Sequence, residues 1–334
     1  MITEERPMVE RQTLFSIQFL RGVAAALVLV EHLRIETGLA PYGAVGVDIF
    51  FAISGFIIFF VTREDRSNFY LKRIIRIVPL YWLATFAIAA VAVAKPSLLN
   101  NASFSISHLI QSLFFVPHFT QAQELRPLLA LGWTLNFEIM FYLLFGLGMV
   151  INHKRRFEIT SVLLIILWAV TNLLPLTPQD GLAFYRSPIM FEFIFGMAIA
   201  RFWPVGKRAS VPNTLVMLGL GIAAFLAITI WRPTGVRVVD NGIPAALIFM
   251  LFLWSEPLFS KTGLLRRASV FGGEISYALY LTHIYFLAAF ARVLHLEGVT
   301  LWIVCLLAIP AIAWAVYRVV EAPMTHWLRR RLLG

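Results

Sequence analysis

The chain has 334 residues, of which 60% are hydrophobic and only 14% are charged, and its mean hydropathy is +0.80. Soluble domains carry about 25% charged residues, so the composition excludes an ordinary soluble domain and predicts an integral membrane protein. The net charge of +10 is typical of the basic cytoplasmic loops of membrane proteins, and no basic face with stacking aromatic residues indicates a nucleic-acid partner.

Ten apolar runs of roughly membrane length follow one another along the chain. A crossing helix needs about 20 residues, whereas barrel strands alternate over about ten. The unbroken runs therefore predict an all-α integral membrane protein with about ten transmembrane helices in a single membrane-embedded domain, 1–334. The predicted spans lie near 14–35, 44–62, 76–94, 129–151, 157–175, 187–203, 212–231, 241–259, 270–293 and 299–320.

The basic residues between these runs predict the orientation of the chain. With the N-terminus in the cytoplasm, 20 of the 28 lysines and arginines fall in cytoplasmic segments and seven fall outside, while Arg21 lies within the first run. Because lysine and arginine favour cytoplasmic loops, an even number of spans with both termini cytoplasmic is predicted.

The first run, FLRGVAAALVLVEHL at 19–33, carries an arginine and a histidine among small and oily side chains. Arg21 and His32 are eleven residues apart, close to three full turns, so they share one helix face and lie about 16 Å apart along the axis. An ionisable group inside a span is costly and usually faces a partner or a cavity. The alternative is that Arg21 reaches back to the membrane surface and His32 sits at the edge of the span.

The second run, GVDIFFAISGFIIFF at 46–60, places Asp48 near the end that adjoins His32 if the first two spans are antiparallel neighbours. A carboxylate beside an imidazole fixes its tautomer and raises its basicity, so Asp48 is a candidate partner of His32. Ser54, taken alone, is more typical of a hydroxyl that bonds back to its own helix.

Arg73 and Arg76 lie three residues apart at the start of the third run and therefore share a helix face. Two neighbouring guanidinium groups suit a phosphate, because each forms paired hydrogen bonds with phosphate oxygens. The alternative is that both merely follow the cytoplasmic bias of basic residues. Pro79 allows the helix to begin or bend at this point.

The fourth run places Glu138 and Tyr142 on one face, with Trp133 and Thr134 a turn earlier. A glutamate in the middle of a span pairs, binds a ligand or moves protons.

The last two runs add a polar stripe and a terminal carboxylate. Ser276, Tyr280 and His283 recur at helical spacing in the ninth run, and Glu321 ends the tenth run, where it is placed to hold a basic residue. Cys305 is the single cysteine, so neither a disulfide nor a cysteine metal site is predicted, and no metal ligands are proposed.

In this order, the motifs of the chain resemble those of the membrane acyltransferase 3 family, whose members O-acylate the sugars of polysaccharides and related glycans. The resemblance runs from the first span to the last and rests on Arg21–x10–His32, GVDIFFAISGF at 46–56, Arg73–x2–Arg76–x2–Pro79 with Tyr81, Trp133-Thr134-Leu135 with Glu138 and Tyr142, SYALYLTH at 276–283, and Glu321-Ala322-Pro323. Many members carry serine at the position of Thr134, a departure that keeps the hydroxyl.

The resemblance implies a bacterial inner-membrane enzyme with no permanently bound cofactor. Its co-substrate is a cytoplasmic acyl-CoA, most simply acetyl-CoA, and its acceptor is a glycan or a lipid-linked glycan. The chain stops at Gly334, soon after the last run, which is expected of the compact members without a C-terminal hydrolase-like domain. The oligomeric state, the acyl group and the acceptor sugar stay open.

The same resemblance distributes roles among the candidate residues. The essential arginine and histidine of the family fall on Arg21 and His32, and its arginine pair falls on Arg73 and Arg76. The candidate catalytic residues are His32, Asp48 and Glu138, the candidate acyl-CoA-binding residues are Arg21, Arg73, Arg76, Ser54 and Tyr142, and the candidate supporting residues are Trp133, Tyr280, His283 and Glu321.

On this interpretation the arginines hold the CoA phosphates, and the slim pantetheine arm passes beside the first span toward His32. His32 then acts as a general base on the acceptor hydroxyl or carries the acyl group itself, and the sequence does not separate these routes.

Two other functions remain as alternatives at this stage. Arginine, histidine and glutamate inside spans also serve transporters, although the internal repeat of many transporters is missing. The other alternative is a scaffold with a decayed site. The outer arginines, among them Arg126, Arg186, Arg232 and Arg237, are further candidates for contact with an anionic glycan.

Overall fold

The computed structural model describes residues 13–39, 45–95, 104–118, 126–177, 179–202, 211–231, 234–261 and 263–334. These residues form helices joined by short turns, and no strand occurs among them, which confirms the all-α prediction. The α-helices of the described residues are α1 (Phe15–Glu36), α2 (Val45–Val61), α3 (Phe69–Ala94), α4 (Ile106–Leu113), α5 (Trp133–Asn152), α6 (Arg156–Leu173), α7 (Phe191–Phe202), α8 (Val211–Trp231), α9 (Ile243–Trp254), α10 (Glu256–Lys261), α11 (Gly263–Ala288), α12 (Gly298–Val316) and α13 (Ala322–Leu332).

Several of these helices have the length and composition of membrane spans. Four stretches of the described chain meet both criteria: Phe15–Glu36, Phe69–Ala94, Ala130–Leu173 and Gly298–Leu332. Val45–Val61, Thr214–Ile228 and Val238–Trp254 are apolar but shorter. Each predicted run overlaps a helix, and the count of ten crossings stays a prediction.

The outward faces of the long helices carry large apolar side chains. Val93 on α3, Leu220 on α8 and Leu307 on α12 are exposed by 66%, 68% and 70%. Soluble monomers rarely leave wide apolar surfaces open to water. These faces therefore support contact with lipid.

Glycines bring the helices around the centre of the bundle into close contact. A Cβ added to Gly22 of α1 would lie 2.7 Å from Cα of Gly272 on α11, and one added to Gly196 of α7 would lie 1.9 Å from the Ala52 carbonyl oxygen on α2. Small residues at such crossings allow backbones to approach closely in membrane proteins. Two tight pairs, α1 with α11 and α2 with α7, result.

Stacked aromatic rings join α5 to the second of these pairs. The Phe193 ring of α7 stacks on Phe51 of α2 at 4.5 Å and on Phe141 of α5 at 4.4 Å, and all three are buried. Aromatic pairs of this kind dominate the energetics of packed cores. The stack sets the distance between α2 and α5, and both helices also line the cavity described below.

Helix α3 begins at Phe69, seven residues before the predicted span, and continues through Pro79 to Ala94. The proline therefore lies inside the helix and does not start it. Arg73 and Arg76 are helical residues, as the shared-face argument requires.

Candidate active site

A cavity of about 280 Å³ lies between α1, α2, α3, α5 and α11, with α13 at one end. Its apolar walls include Val47, Phe50 and Phe51 of α2. The polar side chains that line it are Arg21, Ser54, Arg73, Arg76, Thr134, Glu138, Tyr142, Ser276, Tyr277, Tyr280 and Arg329. The structure thus gathers most of the predicted site residues in one place.

Four arginines, Arg21, Arg73, Arg76 and Arg329, occupy one end of the cavity, which we call the arginine end. A side-chain nitrogen of Arg76 (Nη1) donates a hydrogen bond to Oε1 of Glu321, which is only 2% exposed. The expected ion pair of Glu321 with a basic residue is therefore present.

Two neighbours of these arginines were not predicted from the sequence. The Arg76 guanidinium lies 5.1 Å from the centre of the Tyr277 ring, and Arg21 donates a 3.1 Å hydrogen bond to the Gln18 amide oxygen. Tyr277 lies off the polar stripe of α11, so local spacing does not single it out. Arg329, a further lining residue that was not predicted, follows the pattern of ordinary cytoplasmic charge. Their part in the site depends on packing between helices distant in sequence.

The arginine end is rich in positively charged groups. Among the described residues, four guanidinium groups and Glu138 line the cavity, and Glu321 pairs with Arg76. Guanidinium groups clustered at low dielectric attract anions, and planar forks match phosphate oxygens. The arrangement suits an anionic ligand.

Glu138 joins α5 to α2 midway along the cavity. The Ser54 hydroxyl donates a 2.8 Å hydrogen bond to Oε1 of Glu138, and the Tyr142 hydroxyl donates to the same oxygen. Ser54 therefore serves a long-range contact, and the expectation that it bonds back to its own helix is wrong. Glu138 is held in place by two hydroxyls, and both line the cavity.

Tyr280 and Thr134 meet at the other end of the cavity. Their hydroxyl oxygens lie 2.6 Å apart, and each is 3.1 Å from the carbonyl oxygen of Leu131. Both side chains are buried. Trp133, by contrast, packs edge-on against Phe137 and does not line the cavity.

Beyond Tyr280, the rings of His32 and His283 lie against each other with centres 5.0 Å apart. Nδ1 of His283 is 3.0 Å from the Leu279 carbonyl oxygen. A carbonyl only accepts, so in the neutral ring this nitrogen carries the hydrogen and Nε2 is an acceptor. That Nε2 lies 3.3 Å from Nδ1 of His32.

The same reasoning assigns the tautomer of His32. Its Nδ1 is also 2.9 Å from the Val28 carbonyl oxygen, so Nδ1 carries the hydrogen and faces two acceptors. Nε2 of the neutral ring then keeps its lone pair. His32 is half-buried, and this nitrogen is the basic atom that the pair presents.

Asp48 does not orient His32, contrary to the prediction. It is fully buried, and both of its oxygens accept hydrogen bonds from Arg237, at 3.1 and 2.8 Å. Asp48 lies on the face of α2 toward α7, where Glu192 is also buried beside it, and it is not among the residues that line the cavity. The neighbour that fixes the His32 ring is His283.

Two of the outer arginines are already engaged within the protein. Arg237 binds Asp48, and Arg186 donates to the carbonyl oxygens of Thr171 and Leu174 at 2.8 and 3.0 Å. Arg232 lies outside the described residues. Contact with an anionic glycan is therefore not supported for Arg186 or Arg237.

A family profile described as an acyltransferase domain matches residues 14–318. The exopolysaccharide production protein ExoZ of Rhizobium meliloti is 30% identical over 299 residues, which cover 86% of this chain and 92% of that protein. The acyltransferase MdmB of Streptomyces mycarofaciens is 26% identical over 80% of this chain and 77% of its own length. The O-acetyltransferase OatA of Staphylococcus aureus is 25% identical over 91% of this chain and 56% of its own length. No solved structure matches the chain.

The helical fold and the family match together define a membrane acyltransferase. The chain belongs to the acyltransferase 3 family, as its motifs indicate, and it is an O-acyltransferase. This membership favours the enzyme over the transporter and scaffold alternatives.

Proposed function

We propose that the protein transfers an acyl group, most simply acetyl, from acyl-CoA to a hydroxyl of an exported or cell-surface glycan. The observation that carries this proposal is the layout of the site. Four arginines lie at one end of a narrow cavity, and a histidine with a basic nitrogen lies beyond the other end. The exopolysaccharide relative supports a glycan acceptor, and the O-acetyltransferase relative supports a short acyl group.

The arginine end is the proposed binding site for the phosphates of the donor. Charged phosphates do not enter hydrocarbon, and the guanidinium groups of Arg21, Arg73 and Arg76 are placed to offset their charge. Small-molecule pockets usually measure about 300–1,000 Å³. A cavity of about 280 Å³ suits the pantetheine arm better than the whole nucleotide.

The proposed chemistry takes place at Nε2 of His32. This nitrogen removes the proton of the acceptor hydroxyl as the oxygen attacks the thioester carbon, and the carbon–sulfur bond then breaks. The products are the glycan ester and the CoA thiol, which takes up the proton. His283 is a positioning residue in this scheme, because it holds the hydrogen of His32 on Nδ1.

The proposed topology follows the charge pattern. The chain crosses the bacterial plasma membrane ten times with both termini in the cytoplasm, so that the arginine end faces cytoplasmic acyl-CoA. The acceptor then reaches His32 from the opposite side.

The decisive test is acyl transfer by purified protein in lipid nanodiscs, with acyl-CoA binding measured in parallel. We expect His32→Ala to bind acyl-CoA and transfer nothing, and Arg73→Ala to lose binding. Arg66→Ala is the matched control, because Arg66 is an exposed arginine in the loop before α3, outside the cavity. Wild-type behaviour of all three variants would overturn the proposal.

A second experiment separates direct transfer from an acyl-histidine relay. Wild-type protein is incubated with radiolabelled acetyl-CoA without acceptor and denatured within milliseconds to seconds. Direct transfer predicts no protein-bound label. Label that depends on His32 would replace the general-base step by a covalent one.

A further inference from the structure

The cavity that is proposed to bind the acyl donor, called the donor cavity below, stops short of His32. Among the described residues, Thr134 and Tyr280 line its far end, while neither His32 nor His283 belongs to its walls. A thioester anchored at the arginine end therefore meets Tyr280 before it meets His32.

The Tyr280 ring lies between the arginine end of the cavity and the histidine pair. The centre of its ring is 6.3 Å from the His283 ring and 5.8 Å from the Phe50 ring on the opposite wall. Tyr280 precedes His283 by three residues on α11, about 4.5 Å along the axis toward the arginine end. On α1, Arg21 and His32 are about 16 Å apart. The ring thus occupies the last part of the route.

A hydrogen-bonded contact holds this ring in place. The hydroxyls of Tyr280 and Thr134 lie 2.6 Å apart, so a hydrogen bond joins α11 to α5 at the far end of the cavity. Rotation of the Tyr280 side chain away from Thr134 would break this contact and the one with the Leu131 carbonyl oxygen. His32 is half-buried on the other side of the ring, although the cavity does not include it.

We propose that Tyr280 and Thr134 form a gate between the donor cavity and His32. This inference rests on the proposed function. The closed gate keeps water that reaches His32 away from the thioester, and entry of the acyl end of the donor displaces the Tyr280 ring. Exclusion of water from a reactive intermediate prevents its hydrolysis. In that side reaction water attacks the thioester carbon, the carbon–sulfur bond breaks, and the products are the carboxylic acid and the CoA thiol.

The first test measures how the acyl group is divided between hydrolysis and transfer. For Tyr280→Ala we expect the ratio of free acid to acylated acceptor to rise roughly tenfold, the factor that corresponds to about 1.4 kcal/mol. Tyr280→Phe and Thr134→Val keep the shape of the closed end, so they should raise the ratio by a smaller factor. Tyr280→Phe removes both hydrogen-bonding contacts of the hydroxyl, whereas Thr134→Val leaves the one with the Leu131 carbonyl oxygen and should have the smaller effect.

Tyr285→Phe is the matched control for these variants. Tyr285 lies on the same helix, and its hydroxyl donates to the Ala84 carbonyl oxygen at 3.1 Å, away from the cavity. The control should keep the wild-type ratio. An unchanged ratio in the folded Tyr280→Phe and Thr134→Val variants, or an equal rise in the control, would overturn the gate.

The second test does not depend on turnover. In a Cys305→Ser background, His32→Cys is exposed to a small anionic thiol reagent from either side of oriented membrane vesicles. With Tyr280 present, we expect modification only from the side opposite the arginine end, and with Tyr280→Ala from both sides. Modification from the arginine side with Tyr280 in place contradicts the proposal.

The two tests also separate the gate from the function beneath it. Wild-type protein that neither binds nor turns over acyl-CoA removes the proposed function, and the thiol experiment still reports on the barrier. If the wild-type protein transfers the acyl group but Tyr280→Ala does not change the sides from which His32→Cys is modified, the gate is wrong and the proposed function stands.

Discussion

At the scale of single residues, the site is defined by which nitrogen and oxygen atoms have partners. Arg76 is held between Glu321 and the face of Tyr277, and His32 is held between Val28 and His283. Arg76 also lines the cavity, and Nε2 of the neutral His32 ring keeps its lone pair. The first group is proposed to bind phosphate, and the second to remove a proton.

Arg76→Lys tests whether the planar guanidinium matters beyond its charge. Lysine keeps the charge but loses the fork that binds two oxygens and the stacking on Tyr277. We expect acyl-CoA affinity to fall by roughly tenfold, about 1.4 kcal/mol, with little change in kcat. Binding and kinetics in nanodiscs check this, with Arg66→Lys as the control. Equal affinities in the two variants would contradict a direct phosphate contact.

His283→Leu tests the tautomer assignment of His32. Leucine removes the acceptor of the Nδ1 hydrogen, and loss of a positioning partner of this kind typically costs about 10–100-fold. We therefore expect kcat to fall by that factor while acyl-CoA affinity stays at the wild-type level. His283→Gln retains an acceptor oxygen and should recover part of the activity. Equal loss in both variants would indicate a packing defect instead.

At the scale of the helices, the site depends on close crossings that only glycine allows. The close contact of Gly22 on α1 with Gly272 on α11 lets α1, which carries Arg21 and His32, pack against α11, which carries His283. The α2–α7 crossing, with the aromatic stack behind it, fixes the wall that carries Ser54. A shift of either pair would change the width of the cavity.

Gly196→Ala tests the α2–α7 crossing. A Cβ at this position would lie 1.9 Å from the Ala52 carbonyl oxygen, so the helices must separate. Overpacking of this kind costs about 1–3 kcal/mol, and we expect a lower Tm in detergent. Gly219→Ala on α8 is the control, because nothing lies within 4 Å of its added Cβ. A Tm for Gly196→Ala at or above that of the control would show that the crossing adapts.

At the scale of the whole molecule, the remaining question is how the bundle sits in the membrane. The predicted topology places five crossings between the turn after α5 and the turn before α12. An odd number of crossings puts these two turns on opposite sides.

Single cysteines test this topology in the Cys305→Ser background. Lys154 and Glu297 are exposed in the two turns, so Lys154→Cys and Glu297→Cys give accessible thiols. With a membrane-impermeant reagent, we expect Lys154→Cys to react only from the cytoplasmic side and Glu297→Cys only from the outside. Reaction of both from one side would contradict the predicted number of crossings.

The sequence by itself determined the features that depend on local spacing and composition. The excess of apolar runs predicted an all-helical protein, because a span must satisfy its backbone hydrogen bonds internally. Helical periodicity placed Arg73 beside Arg76 and Glu138 beside Tyr142, since residues three or four apart share a face. The ordered motifs then indicated the family, which the family match confirmed.

Only the tertiary structure decided which faces meet. Asp48 pairs with Arg237, 189 residues away, and His32 contacts His283, 251 residues away. Spacing within one helix carries no information about the neighbour that its face contacts. For that reason the sequence placed Asp48 beside His32, whereas the glycine crossings and the aromatic stack turn Asp48 toward α7 and bring α11 to His32.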